Sequence, residues 1–212
     1  MLKSTRRVAP SCGVLGRRWT SVASMRDLDL RTALRARLDE EHGGDDDTLI
    51  VDELGLCGQV RVDVAVVNGA LSGFELKSAR DNLRRLPNQV AVYSRVFDYA
   101  ALVVAENHRT SAVAMLPDWW GIYVAHETGT TTSLELERAG VRNEVVDPMA
   151  LAQLLWRDEA LEELSQRGAD RGVRTKPRWQ VWQRLADVVQ VDELRDVVRR
   201  RLKARPGWRD AS

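Results

Sequence analysis

Residues 60–77 read V-R-V-D-V-A-V-V-N-G-A-L-S-G-F-E-L-K, and this stretch restricts the fold more than any other part of the chain. Val62, Val64 and Val66 alternate with Arg61, Asp63 and Ala65, the period of a half-buried strand. Asn68-Gly69 follows, and both residues tolerate positive φ, so a tight hairpin turn is expected there. On the return strand, residues 71–77, Phe74 and Leu76 share one face while Gly73, Glu75 and Lys77 share the other. If the turn centres on Gly69, Asp63 falls opposite Glu75, and paired Cβ atoms on one face lie about 4.5–5.5 Å apart. Lys77 stands two residues along the same face. Two carboxylates and an ammonium would then converge on one patch.

Carboxylates this close repel, and a fold rarely keeps them for stability alone. A divalent cation resolves the conflict. Mg²⁺ takes one or two carboxylates and leaves sites for water and phosphate; Mn²⁺ is a possible substitute. Such an ion acidifies a bound water and stabilises charge on phosphorus. Asp63, Glu75 and the Leu76 carbonyl are the candidate ligands, and Lys77 would orient the water or neutralise a phosphate oxygen. The competing interpretation is an ordinary strand face with scattered charges. The apolar opposite face, which fixes the register, and Gly73, which would leave open space beside the patch, favour the site.

The surrounding pattern places this hairpin in an α/β fold. Leu28, Leu30, Leu34 and Leu38 in residues 27–41 predict an amphipathic helix ended by Gly43-Gly44. A second short helix is expected over Thr48 to Leu54, carrying Glu53. Residues 80–98 should be mostly helical, with Pro87 in a first turn. Residues 100–105 (AALVVA) predict a strand buried on both faces. A short helix near 109–115 and a strand at 121–125 follow, giving β-β-α-β-α-β and a mixed sheet with helices on its faces. After a polar stretch, 129–143, the chain reads as wholly helical: one helix from Asp147-Pro148 to about Gln166, a linker at 167–178, and two helices in 178–205.

The residues Asp63, the Asn-Gly turn and Glu75-Leu76-Lys77 resemble the PD-(D/E)xK nuclease superfamily, although Val62 stands where the name has Pro. Gln89-Val90-Ala91-Val92-Tyr93 is similar to the Q-x-x-x-Y motif of its RecB-like branch, and a spacing of four puts Gln89 and Tyr93 on one helix face. The resemblance covers residues 48–126. It implies a restriction-endonuclease-like core, residues 26–146, with an all-helical, basic C-terminal extension at 147–212. It also implies Mg²⁺-dependent hydrolysis of DNA phosphodiesters. Asp63, Glu75 and Glu53 would hold metal, the last at the place of a helical acid that assists binding. Lys77 would be catalytic, and Gln89 and Tyr93 would orient substrate, with Arg84 and Arg85 on its phosphates. Tyr93 also belongs to an apolar stripe with Leu86, Val90 and Phe97, and the arginines equally suit a solvated face. The whole chain, including residues 154–159, resembles a family of small, mostly uncharacterised bacterial proteins with this core and tail. Repair, phage defence and mobile-element processing are the settings this implies. The rival is a catalytically silent module of the same fold that grips DNA or a protein.

Other classes find no support. A composition 44% hydrophobic and 30% charged suits a folded domain, and a net charge of +1 confines any nucleic-acid surface to a local patch. Cys12 and Cys57 have no metal-ligand spacing, His42, His108 and His126 show none to one another, and no glycine-rich phosphate loop occurs, so no nucleotide cofactor is expected. No apolar stretch approaches the roughly 18 residues of a membrane span, and a cytoplasmic protein is expected. Residues 1–24 hold five basic and no acidic residues and read as a disordered basic tail, with Met25 as a possible start. From Arg167 onward, 13 basic residues face six acidic ones, with Trp179, Trp182 and Trp208 interleaved. The tryptophans suit a small bundle core and the arginines suit phosphate contacts. Trp119-Trp120 is expected at the sheet edge.

Overall fold

A computed structural model describes residues 25–129 and 131–206, so the expected basic tail, Cys12 and Trp208 lie outside the described residues. A six-stranded sheet runs in sequence order: β1 (Leu49–Leu56), β2 (Val60–Val67), β3 (Leu71–Lys77), β4 (Tyr99–Ala105), β5 (Gly121–Thr128) and β6 (Thr131–Arg138). The outer pairs β1–β2, β2–β3 and β5–β6 are antiparallel, whereas β3–β4 and β4–β5 are parallel. The parallel steps require crossovers, supplied by α2 (Leu86–Tyr93) and α3 (Arg109–Val113). This is the expected mixed α/β sheet with flanking helices.

Helix α1 (Asp27–His42) covers one face. Its Leu30, Leu34 and Leu38, one turn apart, are fully buried against Val64, Val66, Leu76 and Val103. Leu28 lies off that stripe and is 69% exposed, contrary to its expected place on it. Helices α2, α4 (Pro148–Ala152), α5 (Arg157–Gln166), α6 (Arg178–Val188) and α7 (Val191–Lys203) cover the other face in one continuous apolar cluster with the sheet. A buried ion pair, Arg195 Nε to Asp98 Oδ1 at 2.9 Å, ties α7 to the segment entering β4. No helix among the described residues is long and apolar enough to cross a membrane.

Several expectations fail for identifiable reasons. The short helix at 48–54 is the strand β1. Leu49, Val51, Leu54 and Leu56 all pack in the same cluster, and the three-residue step from Val51 to Leu54 imitates helical spacing. That step arises because Glu53 adopts a left-handed φ of 54°, which switches the strand's faces. β2 switches at the partner position: Val60 and Val62 pack on the α2 side, whereas Val64 and Val66 pack under α1. Strict alternation through Asp63 is thus broken. The β1–β2 turn went unread too; Cys57 (φ 53°) and Gly58 (φ 65°) form it.

Helix α2 is shorter than 80–98, because Asp81 accepts from both the Ser78 amide (2.7 Å) and hydroxyl (2.6 Å) and fixes a turn ahead of it. The polar stretch 129–143 contains β6, an edge strand with no buried apolar stripe to betray it. The helix expected over 148–166 breaks at Gln153–Trp156: the Leu154 and Leu155 amides close three-residue turns, and Trp156 turns extended before α5. Trp120 is fully buried in the core rather than at the sheet edge.

Candidate functional site

The β2–β3 register is the one the turn dictates, running from Val67 opposite Leu71 to Val64 opposite Phe74. Asn68 pins the turn by accepting the Ala70 amide at 3.0 Å. The ladder stops there. At the next rung Asp63 faces Glu75, and Asp63 Oδ2 accepts the Leu76 amide at 2.7 Å in place of a backbone partner. Lys77 is brought to the same place, and Lys77 and Gln89 both donate to Glu75 Oε1. Tyr93 donates its hydroxyl to Glu75 Oε2. The three acidic and basic side chains therefore meet as their spacing implied.

They border an open cleft of about 660 Å³, with Glu53, Arg61, Asp81 and Arg85 at its rim. Burial pushes the Asp63 carboxyl up to about 7, and the neighbouring Glu75 charge adds to this; the Leu76 amide, Lys77 and Arg31 oppose it. Burial and the Glu75 charge drive the Tyr93 hydroxyl far up, so it stays protonated and donates. Tyr93 is held by stacking on Trp120 (centroids 5.6 Å apart) and edge-on packing with Phe97.

Several sequence expectations change here. Gln89 and Tyr93 share a helix face, and both are buried and bind Glu75, so they position that carboxylate; Gln89 also lines the cleft, whereas Tyr93 lies behind it. Glu53 comes from a strand and not a helix; it borders the cleft on the rung of Asp63 and bonds Arg31 and Arg61. Arg85 borders the cleft, whereas Arg84 is exposed and outside its lining. Gly73 leaves no open space, for the Phe97 ring lies where a Cβ would stand, 2.4 Å away.

Two residues were missed. Arg31 of α1 donates to the Asp63 carbonyl (2.8 Å) and bonds Asp52 and Glu53. Asp27, the first residue of α1, borders the cleft. Arg31 and Asp63 are 32 residues apart, and no local pattern links them.

The basic tail also divides. In and after α7, Arg195 and Arg199 bind Asp98, Arg200 and Arg201 bind Glu163, Lys203 binds Asp47 and Arg205 binds Glu159. Burial would raise the Glu163 carboxyl, but hydrogen bonds from Arg167, Arg201 and Arg200 bring it below its ordinary value. These arginines serve the fold and are withdrawn from the phosphate contacts expected of them. Of the tryptophans, Trp182 is half-buried with its indole donating to the Leu155 carbonyl at 3.0 Å, while Trp179 is 56% exposed and outside any core.

Among the described residues no three His, Cys, Asp or Glu side chains are grouped to hold a metal on their own. The donor set of Asp63, Glu75 and the Leu76 backbone suits an ion that keeps several waters, as Mg²⁺ does, and not one needing a full protein cage. Five acids and three bases line the cleft, leaving an excess of negative charge that such an ion would offset.

A family profile described as "Bacteriophage P4 protein cII" matches residues 23–210. The chain belongs to this family. Within it, protein cII of Enterobacteria phage P4 is 31% identical over 81 residues, covering 38% of this chain and 31% of that protein. The match therefore spans about a third of the relative's length. Among solved structures, the SPO1766 protein of unknown function from Silicibacter pomeroyi is 18% identical, with a TM-score of 0.42, covering 70% of this chain and 96% of that one. A likeness this loose carries no argument. The cII family thus includes a chain with an open cleft lined by Asp63, Glu75 and Lys77.

Proposed function

We propose that this cII-family protein is a divalent-cation-dependent nuclease that hydrolyses DNA phosphodiester bonds, a member of the PD-(D/E)xK kind. The observation that carries the reading is the rung where the β2–β3 ladder ends. There Asp63 and Glu75 lie side by side with Lys77 in an open cleft. Asp63, Glu75 and the Leu76 carbonyl would hold Mg²⁺ or Mn²⁺, with Glu53 an outer contributor; the ion, when bound, supplies an acidified water and offsets charge on phosphorus. Gln89 and Tyr93 fix the Glu75 carboxylate so that it need not reorganise. Lys77 orients the attacking water or neutralises a phosphate oxygen. Arg61 and Arg85 at the rim contact flanking phosphates. The description of the family as a phage protein favours mobile-element biology among the settings open to such an enzyme.

The test is incubation of purified protein with supercoiled, linear and single-stranded DNA, with Mg²⁺, with Mn²⁺ and with chelator. Metal-dependent cleavage that disappears in Lys77→Ala and Asp63→Asn is expected. Equal behaviour of wild type and both variants on every substrate refutes the reading.

The full engagement of Glu75 by Lys77, Gln89 and Tyr93 favours one rival, a silent module of the same fold that binds DNA or a protein. Calorimetry separates them, since Asp63-dependent Mg²⁺ binding belongs to the nuclease reading alone.

A further inference from the structure

The cations of the C-terminal region that α7 does not engage are concentrated elsewhere. Residues 171–184 carry five basic and no acidic side chains. Arg174 pairs with Asp170, but Arg171, Lys176 and Arg178 are in no ion pair among the described residues, and all three are exposed. Positive charge gathered without carboxylates sets up a local potential that attracts a polyanion.

Aromatic rings accompany these charges. Trp179 and Trp156 are each 56% exposed, whereas tryptophans are highly buried on average. Arg178 lies over the Trp182 ring (5.2 Å) and Arg205 over the Trp156 ring (4.4 Å). Named bonds bring the two segments together: Trp182 donates to the Leu155 carbonyl, and Arg157 donates to the Arg174 (2.5 Å) and Lys176 (3.4 Å) carbonyls. Arg157 thereby fixes the backbone of the basic loop beside Trp156.

We infer that this face, Trp156, Lys176, Arg178 and Trp179 above all, binds single-stranded nucleic acid. Unpaired cations track phosphates, and exposed indoles stack on bases. A duplex hides its base faces inside its own stack and leaves the indoles without a partner, so single strands are selected. An acidic peptide would use the charges alone. This inference does not depend on the proposed catalysis.

The experiment uses the full chain carrying Lys77→Ala, in chelator, so that cleavage plays no part. Anisotropy of a labelled oligothymidylate of about 16 nucleotides is read against salt. Trp179→Ala and the double variant Lys176→Glu/Arg178→Glu should each weaken binding about tenfold or more. Trp179→Phe should keep most of it, and Arg109→Ala, which removes a cation paired with Glu137, should change nothing. All four positions are on the surface, and circular dichroism verifies each fold. Unchanged affinity in the two weakening variants, no binding by the parent protein, or equal competition by poly-glutamate would each overturn the inference.

Discussion

Replacing Asp63 by Asn should flatten the pH dependence of stability. The Asp63 carboxyl moves from an ordinary 3.8 up to about 7 in the folded chain, mainly through burial and then through Glu75. A raised folded-state value means that the folded chain holds the proton more tightly between about pH 4 and pH 7. Stability therefore falls as pH rises through that window, and the loss is complete above it. At about 1.4 kcal/mol per unit, the part falling between pH 5 and pH 8 is about 2–3 kcal/mol, or roughly 5–10 °C in Tm for a domain of this size. Urea unfolding of wild type and Asp63→Asn at both pH values, in chelator, measures it. Every other group is common to both proteins, so the difference isolates Asp63. The Asn oxygen can still accept the Leu76 amide, which keeps the local geometry. Parallel pH profiles would refute the reasoning. Millimolar Mg²⁺ should restore the wild type at pH 8 and leave the variant unchanged.

Tyr93→Phe removes one hydroxyl from Glu75 while keeping the ring stacked on Trp120, so DNA cleavage should drop with a stability loss of only about 1–2 kcal/mol by calorimetry. Glu53→Gly relieves the left-handed backbone but removes the pairs with Arg31 and Arg61, so the metal-free protein should change by less than about 1 kcal/mol in urea titration while Mg²⁺ binding weakens. Arg195→Ala leaves the buried Asp98 carboxylate with only its longer 3.6 Å pairing to Arg199 and should cost about 3 kcal/mol by the same titration.

What could be read from the residues was what local rules control. The Asn68-Gly69 turn and the alternation on either side of it specify the β2–β3 register, and that register alone brings Asp63 to Glu75. Gln89 and Tyr93 were legible as a pair because helical spacing puts them on one face. Their target was not, because it depends on how closely α2 packs on β3. Glu53 was placed on a helix because a single left-handed residue turns a two-residue period into a three-residue step. β6 was hidden because an edge strand needs no apolar stripe. Arg31 could not be found from sequence at all, since its partners are joined to it only by packing α1 on the sheet.

The reversal of faces that β1 and β2 share at Glu53 and Asp63 acts as a key between the two strands. Lengthening the Cys57-Gly58 turn leaves each strand's own sequence of inward and outward side chains intact. Deleting one residue inside either strand does not, because the two reversals then fall out of step and half a strand's valines or leucines meet water. Homologous chains should accordingly vary in length at that turn and hardly at all between it and the acidic rung.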